Sequence, residues 1–228
     1  MLIFPRFFGV KAALEPIHVQ LNLHSMDVEV VNVTPTPLVQ SRLRITCVRV
    51  DGSEAYPEEM VHVDAPPCST VVVPIRGAWR GDGEVFVRFR LGRPHHGLLS
   101  RNVVLPTTTM LAGMATTDVE VSVKDAKVGS GGKCSATLTL TNRGGVVAFF
   151  LTLRLLKNPA AGAAITCGDM VLPVWWSANM VTLFPGETHQ LTAEWEYKGD
   201  PTDLRFRIKG WNVGEADVRM WASNPLMI

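Results

Sequence analysis

The sequence predicts an all-β fold with two antiparallel sandwiches in tandem. Apolar and polar residues alternate with a period of two through most of the chain. Clusters of Gly, Pro, Asn and Asp interrupt the alternation about every 8 to 15 residues. No stretch of about 12 residues keeps a helical period without Gly or Pro, so βαβ alternation is missing. A sandwich takes about 100 residues, and 228 residues hold two. A (β/α)8 barrel takes about 250 residues and needs helices that this pattern lacks.

The first half starts with IHVQLNL (17–23) and MDVEVVNVT (26–34), joined across His24-Ser25. SRLRITCVRV (41–50), EMVHV (59–63), TVVVPI (70–75), EVFVRFRL (84–91) and LLSRNVVL (98–105) follow. Turns fall at Thr34 to Pro37, Asp51-Gly52-Ser53, Ala65-Pro66-Pro67, Gly81-Asp82-Gly83 and Gly92 to Gly97. TTTMLAGMATT (107–117) is a weakly patterned connector. The alternation then restarts with DVEVSVKDAKV (118–128), KCSATLTLTN (133–142), VVAFFLTLRLL (146–156) and DMVLPVWW (169–176). MVTLF (180–184), HQLTAEWEY (189–197), LRFRIKGW (204–211) and EADVRMW (215–221) complete it. This places an apolar lead-in segment at 1–14, one sandwich at 15–110 and a second at 111–228. The halves do not match closely enough to read as an internal repeat.

Hydrophobic residues make up 46% of the chain and charged residues 19%, enough to bury a core. A net charge of +1 gives no field that argues for nucleic acid or an anionic membrane as partner. No apolar run reaches the roughly 18 to 20 residues that span a bilayer. The start, MLIFPRFFGVKAAL, lacks the basic, apolar and small-residue order of a signal peptide. Leu2, Ile3, Phe4, Phe7 and Phe8 would leave an apolar patch if nothing covered them.

Candidate chemistry is sparse. Cys47, Cys68, Cys134 and Cys167 are far apart, with no zinc spacing, so free buried thiols are the expectation. A 47–68 or 134–167 disulfide stays open, because spacing cannot decide it. His95-His96 sits in a turn with no third metal ligand at suitable spacing, and no cofactor or metal is expected. Asn32-Val33-Thr34 is a glycosylation sequon followed by Pro35. There is no G-x-S-x-G elbow, no Walker A loop and no dinucleotide fingerprint. Glycosidase chemistry would need two carboxylates roughly 5 to 10 Å apart. Glu58-Glu59, Glu84, Glu187, Glu194 and Glu196 are available. Glu194 and Glu196 share a strand face, which reads first as a solvated face, so no catalytic residue is expected.

Trp175 and Trp176 are neighbours on one strand, so they point to opposite faces. The alternation expects Leu172, Val174 and Trp176 on one face, and Val171, Pro173 and Trp175 on the other. Trp176 is expected in the core. Trp175 is expected outside, as a domain-interface anchor or a sugar platform, with Trp79 a second candidate platform.

L-P-V-W-W-S-A-N-M-V-T-L-F-P-G-E (172–187) resembles a segment in the last immunoglobulin-like domain of certain family 2 glycoside hydrolases. They are the β-mannosidase, exo-β-D-glucosaminidase and mannosylglycoprotein endo-β-mannosidase type. V-A-F-F-L-T-L-R-L-L (147–156) is similar to the strand before that segment. G-V-K-A-A-L-E-P-I-H-V-Q-L-N (9–22) resembles the exit from their catalytic barrel, and D-V-E-V-V-N-V-T (27–34) and L-L-S-R-N (98–102) continue the match. Ala178 departs from the Asp of the family's usual Ser-Asp-Asn. The resemblance implies two immunoglobulin-like antiparallel β-sandwiches in tandem, a C-terminal module that is non-catalytic. Its partner would be the parent's (β/α)8 barrel, with glycan a further candidate. It implies that residues 1–14 are a remnant of the barrel exit. Trp175, Trp176, Ser177, Asn179, Phe4, Phe7 and Phe8 become candidates for domain-interface or glycan contact. The family's catalytic glutamates lie in the barrel, so none is carried over. The alternative is a stand-alone glycan- or protein-binding module.

Overall fold

The computed structural model describes residues 5–94, 97–104, 109–157, 166–220 and 226–227. Phe4, the His95-His96 pair and the break at Asn158 to Gly162 lie outside the described residues. The chain divides into two compact units. One spans 9–114; the other spans 115–228 and takes in the start of the chain.

The first unit packs a three-stranded sheet against a four-stranded one. The smaller sheet has the order β1-β2-β5, with β1 at Ile17–Leu21, β2 at Val28–Asn32 and β5 at Ser69–Val72. The larger runs β4-β3-β6-β7, from β3 (Leu38–Arg49), β4 (Glu54–Ala65), β6 (Val85–Arg93) and β7 (Gly97–Val104). All pairings are antiparallel. Inward positions from both sheets form one core, with Val19 and Val30 meeting Leu43, Ile45, Val87 and Phe89. Trp79 closes it, edge-on to Phe89 at 5.9 Å and only 2% exposed. That burial removes Trp79 as a platform.

The second unit has a five-stranded sheet, β11-β13-β9-β8-β16, over a four-stranded one, β12-β10-β14-β15. The first is built from β8 (Val119–Val128), β9 (Lys133–Asn142), β11 (Val174–Trp176), β13 (Thr188–Glu196) and β16 (Leu226–Met227). The second contains β10 (Ala148–Lys157), β12 (Val181–Leu183), β14 (Leu204–Lys209) and β15 (Ala216–Arg219). Phe206 bridges the layers. Trp176 and Trp195 meet it edge-on at 5.9 and 5.8 Å, the geometry that aromatic quadrupoles favour.

Each sandwich has a corner of the same kind, which the residue pattern did not reveal. Asn32 and Asn142 each end a strand with a fully buried side chain. The Asn32 amide donates to the carbonyls of Thr36, Ala65 and Pro66. The Asn142 amide donates to those of Val146 and Leu183. After each corner the next strand bulges at a residue with positive φ, Gln40 at 54° and Phe150 at 58°. The extra residue resets the in-out phase, so Leu38 and Ser41 both point inward, as do Ala148 and Leu151. Asn32 is also the sequon residue. Its amide nitrogen is buried and spent on three carbonyls, so it is closed to modification in the folded chain.

Two elements differ from the expectation. Residues Pro5–Ala13 form a helix, α1, where the pattern shows only an apolar lead-in. Nine residues are too few for a helical period to stand out. The end signals are present: a proline whose fixed φ suits a helix start, Lys11 in the last turn and Pro16 beyond it. The terminal strand β16, pairing Leu226 with Val121, was not expected. The cysteines also correct one reading. Cys47, Cys68 and Cys134 are free, so neither candidate disulfide forms, and Cys68 is exposed rather than buried. Burial, reinforced by the nearby Glu59 and Asp82 carboxylates, pushes the Cys47 thiol up to about 12, which leaves it protonated and inert.

Candidate functional site

The tryptophan pair splits as strand alternation requires. Trp176 is 8% exposed and Trp175 56%. The alternation does not extend upstream, because β11 begins only at Val174. Val171 is therefore buried and Leu172 exposed, the reverse of the expected assignment.

β11 is the edge of the five-stranded sheet, and its register sets the neighbours of Trp175. Trp175 lies directly opposite Glu194, and Trp176 opposite Ala193. Glu194 and Glu196 are both exposed, so the outer face offers a large indole with a carboxylate beside it. Sequence reasoning found the tryptophan and the glutamate separately. Their pairing depends on register, which the sequence does not display.

The loop after β11 is tied inward. Ser177 Oγ accepts from the Thr192 backbone N–H at 2.8 Å, and the Ser177 N–H donates back to the Thr192 carbonyl at 2.9 Å. This extends the β11–β13 ladder by one rung. Asn179 Oδ1 accepts from the N–H of Leu153 at 2.9 Å and of Met180 at 2.8 Å. Its Nδ2 donates to the Leu153 carbonyl at 3.0 Å. The side chain thus pairs with β10 as a strand backbone would, and its polar atoms are engaged within the sandwich. Ala178 packs its methyl group against the second core.

Phe7 and Phe8 lie on α1 with their rings edge-to-face, 5.3 Å apart. Phe8 is half-buried against the second core, while Phe7 is 48% exposed. The structure thus brings Trp175, Trp176, Ser177 and Asn179 into one strand-loop segment and sets Phe7 and Phe8 on a separate helix.

Other carboxylates serve local structure. Glu59 Oε1 accepts from the Arg76 N–H at 2.7 Å, and Glu187 Oε2 from the Phe184 N–H at 2.9 Å. Burial pushes the Glu15 carboxyl up, with a Ser100 hydrogen bond and the His18 and Lys11 charges pulling the other way. No group of three or more His, Cys, Asp or Glu side chains that could hold a metal occurs among the described residues.

Residues 106–213 match the exo-β-D-glucosaminidase Ig-fold domain family. The exo-β-D-glucosaminidase of Streptomyces avermitilis is 27% identical, aligning with 93% of this chain and 26% of its own length. The mannosylglycoprotein endo-β-mannosidase of Lilium longiflorum is also 27% identical, over 92% of this chain and 28% of its own length. The crystal structure of Amycolatopsis orientalis exo-chitosanase CsxA has the same fold over 93% of this chain and 27% of that one. Its TM-score is 0.79 at 24% identity. This chain therefore spans about a quarter of the length of the curated relatives it matches. Family match and relatives agree that the chain is similar to the part of exo-β-D-glucosaminidases and of a mannosylglycoprotein endo-β-mannosidase that holds the exo-β-D-glucosaminidase Ig-fold domain, and the solved structure shares its fold.

Proposed function

We propose that this chain is the non-catalytic β-sandwich module of a β-mannosidase-like glycoside hydrolase. It braces a catalytic (β/α)8 barrel of the parent protein, which hydrolyses O-glycosyl bonds. One observation carries the reading: the chain aligns along nearly its whole length with a quarter of enzymes named for glucosaminide and mannoside hydrolysis. The carboxylates in view support it. Glu59 and Glu187 hold backbone N–H groups, and Glu194 and Glu196 stand on an open sheet face rather than across a cleft. In this assembly the exposed Trp175 and Phe7 are contacts for neighbouring parts of the parent enzyme.

Incubating the purified chain with p-nitrophenyl β-D-glucosaminide and p-nitrophenyl β-D-mannoside tests the absence of catalysis. The expected result is release no faster than buffer. Turnover abolished by Glu194→Gln or Glu196→Gln would overturn the reading.

The pairing of Trp175 with Glu194 favours a second reading, a glycan platform in which the indole stacks on a sugar face and the carboxylate accepts from hydroxyls. Chito- or manno-oligosaccharides would then quench tryptophan fluorescence saturably in the wild-type chain and not in Trp175→Ala. A flat titration removes this reading and leaves the first in place.

A further inference from the structure

The outer face of the β4-β3-β6-β7 sheet holds a row of arginines. Register places Arg44 directly opposite Arg90, and Arg90 directly opposite Arg101. One step along, Arg42 stands opposite Gly92 on one side and His62 on the other. Like charges directly opposed across strands destabilise a sheet. Glu58 answers Arg44, its Oε1 lying 3.4 Å from Arg44 Nε. Arg42 and Arg90 make no ion pair or side-chain hydrogen bond among the described residues. Arg93 donates from Nη2 to the Pro37 carbonyl, while its Nε–H is buried with no partner among them.

These guanidinium groups surround a depression of about 370 Å³. Arg42, Arg44, Arg90 and Arg93 line it, with Met60 and Leu98 as apolar walls. Gly92 and Gly97 also line it. A Cβ at Gly92 would meet the Gly97 carbonyl oxygen at 2.8 Å, so the close approach of the two strands there requires glycine.

We infer that this depression is an oxyanion site for a small ligand bearing a phosphate or carboxylate group. Guanidinium forks match both groups in shape and pair with them bidentately. One bound oxyanion would relieve the repulsion among Arg42, Arg44 and Arg90. The exposed side chains of Met60 and Leu98 leave room for a carbon skeleton of sugar size beside the anion.

Thermal unfolding of the full chain tests this, with sodium phosphate, glucose 6-phosphate or glucuronate titrated against sodium chloride at matched ionic strength. The site predicts a saturable rise of roughly 2–5 °C in the Tm of the first sandwich. It predicts at least a tenfold weaker response in Arg42→Gln/Arg90→Gln. That variant should melt in chloride no lower than wild type, because a self-repelling pair has been removed. Arg42→Lys/Arg90→Lys, which keeps the charge and loses the forks, should respond between the two. Equal potency of phosphate and glucose 6-phosphate identifies a simple oxyanion site; a tenfold preference for either sugar acid identifies an acidic-sugar site. An unsaturable rise, or one of equal size in wild type and variants, is the general stabilisation given by excluded salts and overturns the inference. So does a wild-type Tm that none of the three ligands moves.

Discussion

Trp176→Ala should lower the stability of the second sandwich by about 3–5 kcal/mol, whereas Trp175→Ala should change it by less than about 0.5 kcal/mol. The two residues are adjacent and chemically identical, so the difference isolates burial. Trp176 is 8% exposed and touches Phe206 edge-on. Its removal leaves a cavity between layers that are pinned by Trp195 on the same sheet. Trp175 stands on the outer face with nothing comparable to lose. Calorimetry on the full chain checks this. The transition of the second sandwich should fall by more than about 10 °C for Trp176→Ala and stay within about 2 °C for Trp175→Ala. Equal losses would mean that Trp175 is also a structural anchor and not a free contact residue.

Asp217→Ala should cost about 3–5 kcal/mol for a different reason. The Arg207 guanidinium sits on β14 with its side chain only 4% exposed. Asp217, directly across on β15, holds it bidentately, Nε to Oδ1 at 2.6 Å and Nη2 to Oδ2 at 2.7 Å. Glu215 adds a contact to Nη1 at 3.1 Å. These carboxylates hold the Arg207 pKa above its usual value, with the Asp217 hydrogen bond foremost. Without Asp217 a buried cation keeps one half-exposed partner. Urea unfolding should show the midpoint of Asp217→Ala well below wild type. Arg207→Met/Asp217→Ala should recover most of the loss, because the penalty comes from the unpaired charge and not from the missing bridge. A double variant as unstable as the single would place the cost in packing instead.

The layered β architecture was legible because most strands bury one face and wet the other. β13 shows it plainly, with Leu191, Ala193 and Trp195 in and Thr192, Glu194 and Glu196 out. The reading failed where phase changes without a residue-type signal. Nothing in the identity of Gln40 or Phe150 announces a positive φ, yet each bulge reverses the side chains on one side of it. The corner that recurs in each unit was invisible for a related reason: it rests on one buried asparagine in each half, set among otherwise dissimilar turns. The short helix α1 lacked the length for a period to show. Cross-strand partners were out of reach throughout. The tryptophan, the glutamate facing it and the seven arginines of strands β3, β6 and β7 at positions 42, 44, 49, 88, 90, 93 and 101 are all in plain view. Only register makes Trp175 a neighbour of Glu194 and sets Arg44, Arg90 and Arg101 in one row.

The central claim is that these sandwiches work as part of a larger hydrolase. Immunoblotting native cell extract with an antibody raised against this chain tests it most directly. The account predicts a band several times the 25.0 kDa of this chain, co-purifying with glucosaminidase or mannosidase activity. A native band at 25.0 kDa, separate from any such activity, would contradict it.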